Sequence, residues 1–196
     1  MIPRNVQITL VLLFVVVLVA GVYIVQLRRG TQENLRAAAE DRVVAPPENG
    51  NRESVKLTIA YDDDGVFRSR LTNGVLPEES EARAKAILQL LIDQYVSRPS
   101  PHPLAAGSAV KTVFLVNEKL AVLDLNEEFA EAHRSGIMVE DFTVLSLIDT
   151  LASNFPRLEQ VKFLVDGKER ETLAGHVDLK NIYNTAAVHK LVERLQ

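Results

Sequence analysis

The sequence predicts an α+β domain: a small mixed β-sheet packed by two main helices and preceded by one transmembrane helix. Three observations carry this. Apolar residues recur at helical spacing in two stretches, Ala84–Tyr95 and Val144–Phe155. Short β-branched runs beginning at Val55, Val110, Leu120 and Val161 read as the sheet. Near the N-terminus, Ile8–Val25 is an apolar run without charge. With Val6-Gln7 and Gln26-Leu27 it reaches the roughly 20 residues that span a hydrocarbon core of about 30 Å.

Taken in order, residues 1–29 read as an uncleaved anchor. A cleaved signal peptide has a shorter apolar region, about 7–15 residues, closed by a small-residue site. Here the run is longer and leads into Tyr23-Ile24-Val25-Gln26-Leu27-Arg28-Arg29. Residues 30–53 are polar, poor in large apolar side chains and broken by Pro46-Pro47 and Asn49-Gly50-Asn51, the pattern of a disordered tether. A coil of that length holds the domain within about 30 Å of the bilayer. The main domain is expected over 54–183, with a C-terminal amphipathic helix over 184–196.

Val55, Leu57, Ile59 and Tyr61 alternate with Lys56, Thr58 and Ala60, as in a half-buried strand. Asp62-Asp63-Asp64-Gly65 reads as a turn. A calcium loop would need a glutamate about a dozen residues on, where Asn73 and Gly74 stand. Val66–Leu71 returns as a second strand or extended arm. Pro77 followed by Glu78, Glu79 and Glu81 favours a helix start. Ala84, Ile87, Leu88, Leu91, Ile92 and Tyr95 form that helix's apolar face, which ends by Arg98-Pro99. Val110–Val116 and Leu120–Leu125 pair through the turn Asn117-Glu118-Lys119, and Asn126 is placed to cap a short helical turn.

The main helix runs from Glu140. Val144, Ile148, Leu151 and Phe155 make its stripe, widened by Leu145, Leu147 and Ala152, and Pro156 stops it. Val161–Val165 is a strand. Asp166-Gly167 is a hairpin signal, because a type I′ turn needs positive φ at both central residues. Lys168–Thr172 is expected as a charged edge strand in return. Thr185–Leu195 closes the chain as a helix with Val188, Leu191, Val192 and Leu195 on one face.

Composition narrows the chemistry. The 196 residues carry a net charge of −4 and no cysteine. No basic stripe marks a nucleic-acid interface. The lack of cysteine excludes a disulfide framework, a thiol nucleophile, a cysteine-bound metal and lipidation of an N-terminal cysteine.

The ordered set Asp124-Leu125-Asn126-Glu127-Glu128-Phe129, Ile148-Asp149-Thr150-Leu151, Phe155-Pro156, Val161 to Gly167 and Leu173 to Leu179 resembles the GerMN domain of bacterial sporulation and germination proteins and other envelope proteins. The likeness covers about Val55 to Tyr183. One departure stands at Ala105-Ala106-Gly107-Ser108, which keeps the glycine of a usual Pro-x-Gly turn but lacks its proline. The resemblance singles out Asp124, Leu125, Phe129, Thr150, Leu151, Phe155, Pro156, Asp166, Gly167, Gly175, His176 and Asp178 as motif or structural positions. It implies no catalytic residue, no cofactor and no metal. It also implies a relation to the ring-building folds of envelope assemblies. The partners it implies are the same chain, other envelope proteins or, alternatively, peptidoglycan or peptide recognised for a cell-wall hydrolase.

Among the residues themselves, His176 and Asp178 are the nearest thing to a chemical pair. Two apart on a strand, they would share a face and flank a metal or a proton. The competing reading is a structural turn at Gly175 with a local hydrogen bond from His176. Asp124, Asp149 and Asp166 form a set of carboxylates of the kind glycan hydrolysis uses, but each has a simpler place at a strand end, beside a helix face or in a turn. For orientation two signals conflict. Arg28, Arg29, Arg36 and Arg42 follow the span and only Arg4 precedes it, which by charge alone keeps the domain in the cytoplasm. The family likeness and the short N-terminal tail place it outside the inner membrane, with the N-terminus inside.

Overall fold

The computed structural model describes residues 52–196. The expected anchor at Ile8–Val25 and the tether lie outside the described residues. Among the described residues no helix is long and apolar enough to cross a membrane. The elements are β1 (Arg52–Tyr61), β2 (Val66–Val75), α1 (Ser80–Val96), β3 (Val110–Val116), β4 (Leu120–Leu125), α2 (Glu127–Glu131), α3 (Ile137–Asn154), β5 (Gln160–Val165), β6 (Ile182–Asn184) and α4 (Thr185–Arg194). β1 thus begins two residues ahead of the expected boundary at residue 54.

The α+β class holds, but the strands divide differently from expectation. β1 and β2 form their own antiparallel pair, and β3-β4-β5-β6 form a separate mixed sheet with β4 and β5 parallel. The β1 strand therefore does not join the sheet of β3, β4 and β5. A parallel pair needs a crossover, which α2 and α3 supply between β4 and β5. One core unites both sheets and the helices, including Leu57, Leu91, Leu123, Leu151 and Phe163. α4 adds Val188 and Val192 to it.

The reason β1 stays apart is visible at its outer edge. The N–H of Lys56 donates to Asn154 Oδ1 at 3.2 Å, that of Thr58 to Thr150 Oγ1 at 2.9 Å and that of Ala60 to the Tyr95 hydroxyl at 2.9 Å. Asn154 Nδ2 returns a bond to the Lys56 carbonyl at 2.8 Å. Alternate residues of a strand point their N–H groups the same way, so these three side chains occupy the place of a neighbouring strand. Two of the three come from α3. This helix is buried on most of its circumference, with Thr143, Ser146, Asp149 and Thr150 fully buried beside Ile148 and Leu151. The apolar stripe is present, but its polar side is also inside, hydrogen-bonded to the hairpin.

The predicted return strand Lys168–Thr172 does not form. Asp166 (φ 49°) and Gly167 (φ 72°) adopt the paired positive φ of a type I′ turn, and Val165 and Lys168 form a bridge, but pairing stops there. The neighbour of β5 on that side is β6, in antiparallel register with Tyr183 opposite Val161. A mostly charged segment has no apolar alternation with which to compete for that place. The helix stops are close to expectation: Phe155 caps α3 and Asn126 Oδ1 accepts from Phe129 N at the start of α2.

Candidate functional site

The residues singled out by the sequence fall into separate local groups. Asp124 and Leu125 at the end of β4 meet the Asp166-Gly167 turn after β5. Asp124 Oδ1 accepts from Gly167 N at 2.7 Å, and the Leu125 carbonyl accepts from Asp166 N at 2.9 Å. Lys111 Nζ lies 2.8 Å from Asp166 Oδ1, so both carboxylates of this corner are engaged in holding it. Phe129 is buried and stacks on His133 with ring centroids 6.2 Å apart. Thr150 holds β1, Leu151 is buried in the core, Phe155 is partly buried against it, and Pro156 is exposed.

Gly175 and His176 lie in bends and Asp178 forms only an isolated bridge with Thr172, so the expectation that His176 and Asp178 share a strand face is corrected. Gly175 takes φ 118°, which lets the chain fold over the N-terminal turn of α3. There Glu140, whose side chain is fully buried, gathers the segment. Its Oε2 accepts from the backbone N–H groups of Ala174, His176 and Val177, each at 3.0 Å. Its Oε1 lies 2.9 Å from His176 Nδ1. Burial by itself raises the Glu140 pKa, but the donors from Val177, the His176 ring, Ala174 and His176 outweigh it and bring it down to about 2. Asp178 turns elsewhere, accepting from Lys180 N at 2.7 Å and Asn181 Nδ2 at 3.0 Å. The same geometry that engages His176 with Glu140 thus separates it from Asp178.

Two further polar clusters were not legible from spacing. In the first, His102, fully buried, sits between Asp62 (Nδ1 to Oδ1, 2.6 Å) and Thr143 (Nε2 to Oγ1, 2.6 Å). His133 Nε2 reaches the same hydroxyl at 2.7 Å, and Arg134 pairs with Asp62. Burial lowers the His133 pKa, and its Nδ1 lies 2.7 Å from the Arg134 carbonyl oxygen. Asp62 is held below the usual carboxylate range: burial opposes this, and the His102 and Arg134 hydrogen bonds overcome it. The turn predicted at Asp62–Gly65 is therefore also an anchor for the loop after α1 and the loop before α3.

In the second cluster, buried Asp149 takes the Thr58 hydroxyl at 2.5 Å and lies 2.7 Å from His189 Nδ1, fastening α4 to α3 and β1. His189 Nε2 is 3.4 Å from Glu193. Among the described residues no serine or threonine hydroxyl bonds to His189, whose ring contacts are Asp149 and Glu193. No group of three or more metal-ligating side chains occurs among the described residues. The nearest sequence signals were His102 and His189, whose carboxylate partners each stand 40 residues away along the chain.

Two surface depressions remain. A polar cleft of about 640 Å³ beside His189 is lined by Lys56, Ser153, Glu159 and Thr185 among others. The second is a groove of about 790 Å³ between α3, β6 and α4 with a mainly apolar lining. Its walls include Ile137, Met138, Ile182, Leu191 and Leu195, which are 66%, 59%, 55%, 46% and 38% exposed. Large apolar side chains gathered in one concavity differ from the scattered ones normal on a surface. Asp141 stands among them.

Comparison with known proteins agrees with this architecture. The structure aligns with the tandem GerMN domains of the sporulation protein GerM from Bacillus subtilis at a TM-score of 0.51 and 19% identity, covering 68% of this chain and 46% of that one. The first GerMN domain of the same protein aligns at 0.44 and 19% identity, covering 66% and 94%. A candidate lipoprotein from Clostridium perfringens aligns at 0.46 and 16% identity, covering 71% and 91%. No curated protein matches the chain. The family model described as "Germane: Sporulation and spore germination" matches residues 48–171, more than half of the sequence, and the chain therefore belongs to the Germane family.

Proposed function

We propose that this chain is a non-enzymatic interaction module of the bacterial cell envelope, anchored by Ile8–Val25 with its folded domain outside the cytoplasm. The observation that supports it best is the open apolar groove, since monomeric surfaces seldom leave large apolar side chains gathered without a partner. The polar clusters favour the same reading. Glu140, Asp149, Asp62 and Asp124 are spent on backbone amides, hydroxyls and neighbouring histidines inside the fold. That engagement ties these four carboxylates to structural partners and not to one another as an acid/base pair.

A second reading, recognition of peptidoglycan or peptide beside a hydrolase, rests on the polar cleft at His189 and Lys56. The Lys56 ammonium makes no ion pair among the described residues, and a small anionic group suits it.

Crosslinking of the full chain in its native membrane, with identification of captured partners, separates these. Envelope proteins or the chain itself support the first reading, and retention on purified sacculi without protein partners supports the second. Turnover of wall fragments that is lost on altering His189 overturns both. Orientation is checked by protease added after the outer surface is opened. The domain is degraded while a cytoplasmic control survives. Protection of the domain removes the envelope reading.

A further inference from the structure

We propose that the outer edge of β2 is a strand-addition site for an extended, acidic segment of a partner protein, laid along Ser69, Leu71 and Asn73. This rests on the interaction-module reading and names where the partner docks and what it carries.

The fold seals its other long sheet edges with side chains. On β1 the N–H groups of Lys56, Thr58 and Ala60 are taken by Asn154, Thr150 and Tyr95. On β3 the seal comes from α1: Glu81 accepts from Leu115 N at 2.9 Å, and Lys85 Nζ donates to the Lys111 carbonyl at 2.7 Å. β6 is three residues long. β2 is ten, and its register with β1 runs unbroken from Arg52 opposite Val75 to Tyr61 opposite Val66. Residues directly opposite in an antiparallel pair turn their N–H and C=O groups both toward each other or both away. Lys56, Thr58 and Ala60 turn theirs away, so their partners Leu71, Ser69 and Phe67 do the same, and Asn73 follows by the period of two. The Phe67 N–H is taken by the Leu195 carbonyl at 2.7 Å. Beyond it, the backbone groups of Ser69, Leu71 and Asn73 make no outward hydrogen bond among the described residues. Leu71, in the middle of this row, is 72% exposed. Edge strands are commonly shortened, bulged or broken by proline, and β2 carries none of these devices.

The charge selects the occupant. Val66–Val75 holds Arg68 and Arg70 and no acidic residue. Two apart on a strand, the arginines share one face. Arg68 pairs with Asp64 at 2.6 Å, whereas Arg70 makes no ion pair among the described residues and reaches only Gln94 Oε1 at 3.4 Å. Pairing β2 with β2 of a second copy would gather the arginines of both on one face, with no carboxylate from either strand. A partner strand with acidic side chains on that face and apolar ones on the other gives Arg70 a carboxylate and Leu71 a hydrophobic neighbour. In strand addition the main-chain hydrogen bonds supply affinity and the alternate side chains supply selectivity.

The probe is a peptide of about six residues, a usual strand length, alternating glutamate and valine and titrated into the full-length protein in detergent. Amide exchange read by NMR gives the direct signature. Ser69, Leu71 and Asn73 gain protection on binding, while Arg70 and Thr72, which face β1, change little. A peptide with lysine for glutamate, and one with every backbone nitrogen methylated, each bind at least about tenfold more weakly. Leu71→Pro removes an outward N–H without touching the β1 ladder, and it abolishes binding. Arg70→Glu reverses the preference between the glutamate and lysine peptides, and it decides the matter if melting curves show the proline variant unfolded. No binding of the glutamate peptide, binding unchanged in a folded Leu71→Pro or in Arg70→Glu, or protection at other amides overturns the inference. Self-association lost in folded Leu71→Pro, without peptide binding, gives the edge to a second copy and also overturns it. In each of these cases, envelope partners captured by crosslinking leave the interaction-module reading standing. A chain that binds no peptide and captures no partner overturns both.

Discussion

Glu140 is a single side chain on which two distant parts of the chain converge. It stands in the first turn of α3, where a carboxylate complements the helix dipole, and it gathers the backbone amides of Ala174, His176 and Val177 around Gly175. Its folded pKa of about 2 lies below the unfolded value, so its stabilisation is fully present above about pH 5. It is lost as the pH falls toward 2, because the unfolded chain then binds the proton more readily. The difference corresponds to about 3 kcal/mol. Glu140→Gln is therefore expected to destabilise the fold at neutral pH by about 2–4 kcal/mol and to flatten the acid limb of its stability curve. Denaturant melts between about pH 2 and 7 check both. A second residue-scale case is Gly167. Open space surrounds the position of a Cβ there, so Gly167→Val tests backbone strain alone. With φ at 72° a β-branched residue is expected to cost about 1–3 kcal/mol, measured by the same melts.

At the scale of elements, α3 works as a two-sided connector. Its apolar side enters the core, and Thr150 and Asn154, one turn apart, serve the open edge of β1. Leu151 is fully buried at the centre of the apolar side. Leu151→Ala is expected to cost about 2–5 kcal/mol, the range for a buried leucine truncation. A loss below about 0.5 kcal/mol in denaturant melts would contradict its core position. The helix also explains why the β1-β2 pair is stable with only two strands. An isolated hairpin is marginal, but here one edge is hydrogen-bonded by side chains and one face is packed.

For the whole molecule, the described elements share one core and their polar clusters close within it. Asn49–Gln196 forms a compact unit. The fragment is expected to fold without the preceding residues and to melt in one cooperative transition, since its core is drawn from the described elements, β1 onward. Circular-dichroism melts of the purified fragment check this, and a featureless melt contradicts it. The segments joined by Glu140, Asp149 and Asp62 are then expected to unfold together, because each carboxylate ties elements that are far apart in the chain.

The amino-acid sequence by itself determined the helices, most strands, the Asp166-Gly167 turn and the family. These depend on local periods and turn chemistry, which act over a few residues. Ala84 to Tyr95 and Val144 to Leu151 show their buried stripes in spacing alone. Only the tertiary structure decided three things. It kept β1 and β2 out of the larger sheet, because an edge strand is satisfied as well by Thr150, Asn154 and Tyr95 as by another strand. It gave the place beside β5 to Ile182–Asn184 in preference to Lys168–Thr172, because the Tyr183 ring packs on Phe163 (ring centroids 5.8 Å apart) while the charged segment has little to bury. It also assigned His102, His133, His176 and His189 to their partners. Hydrogen bonds between side chains of distant elements leave no period in the sequence, so the site-like clusters became visible only once the chain had folded.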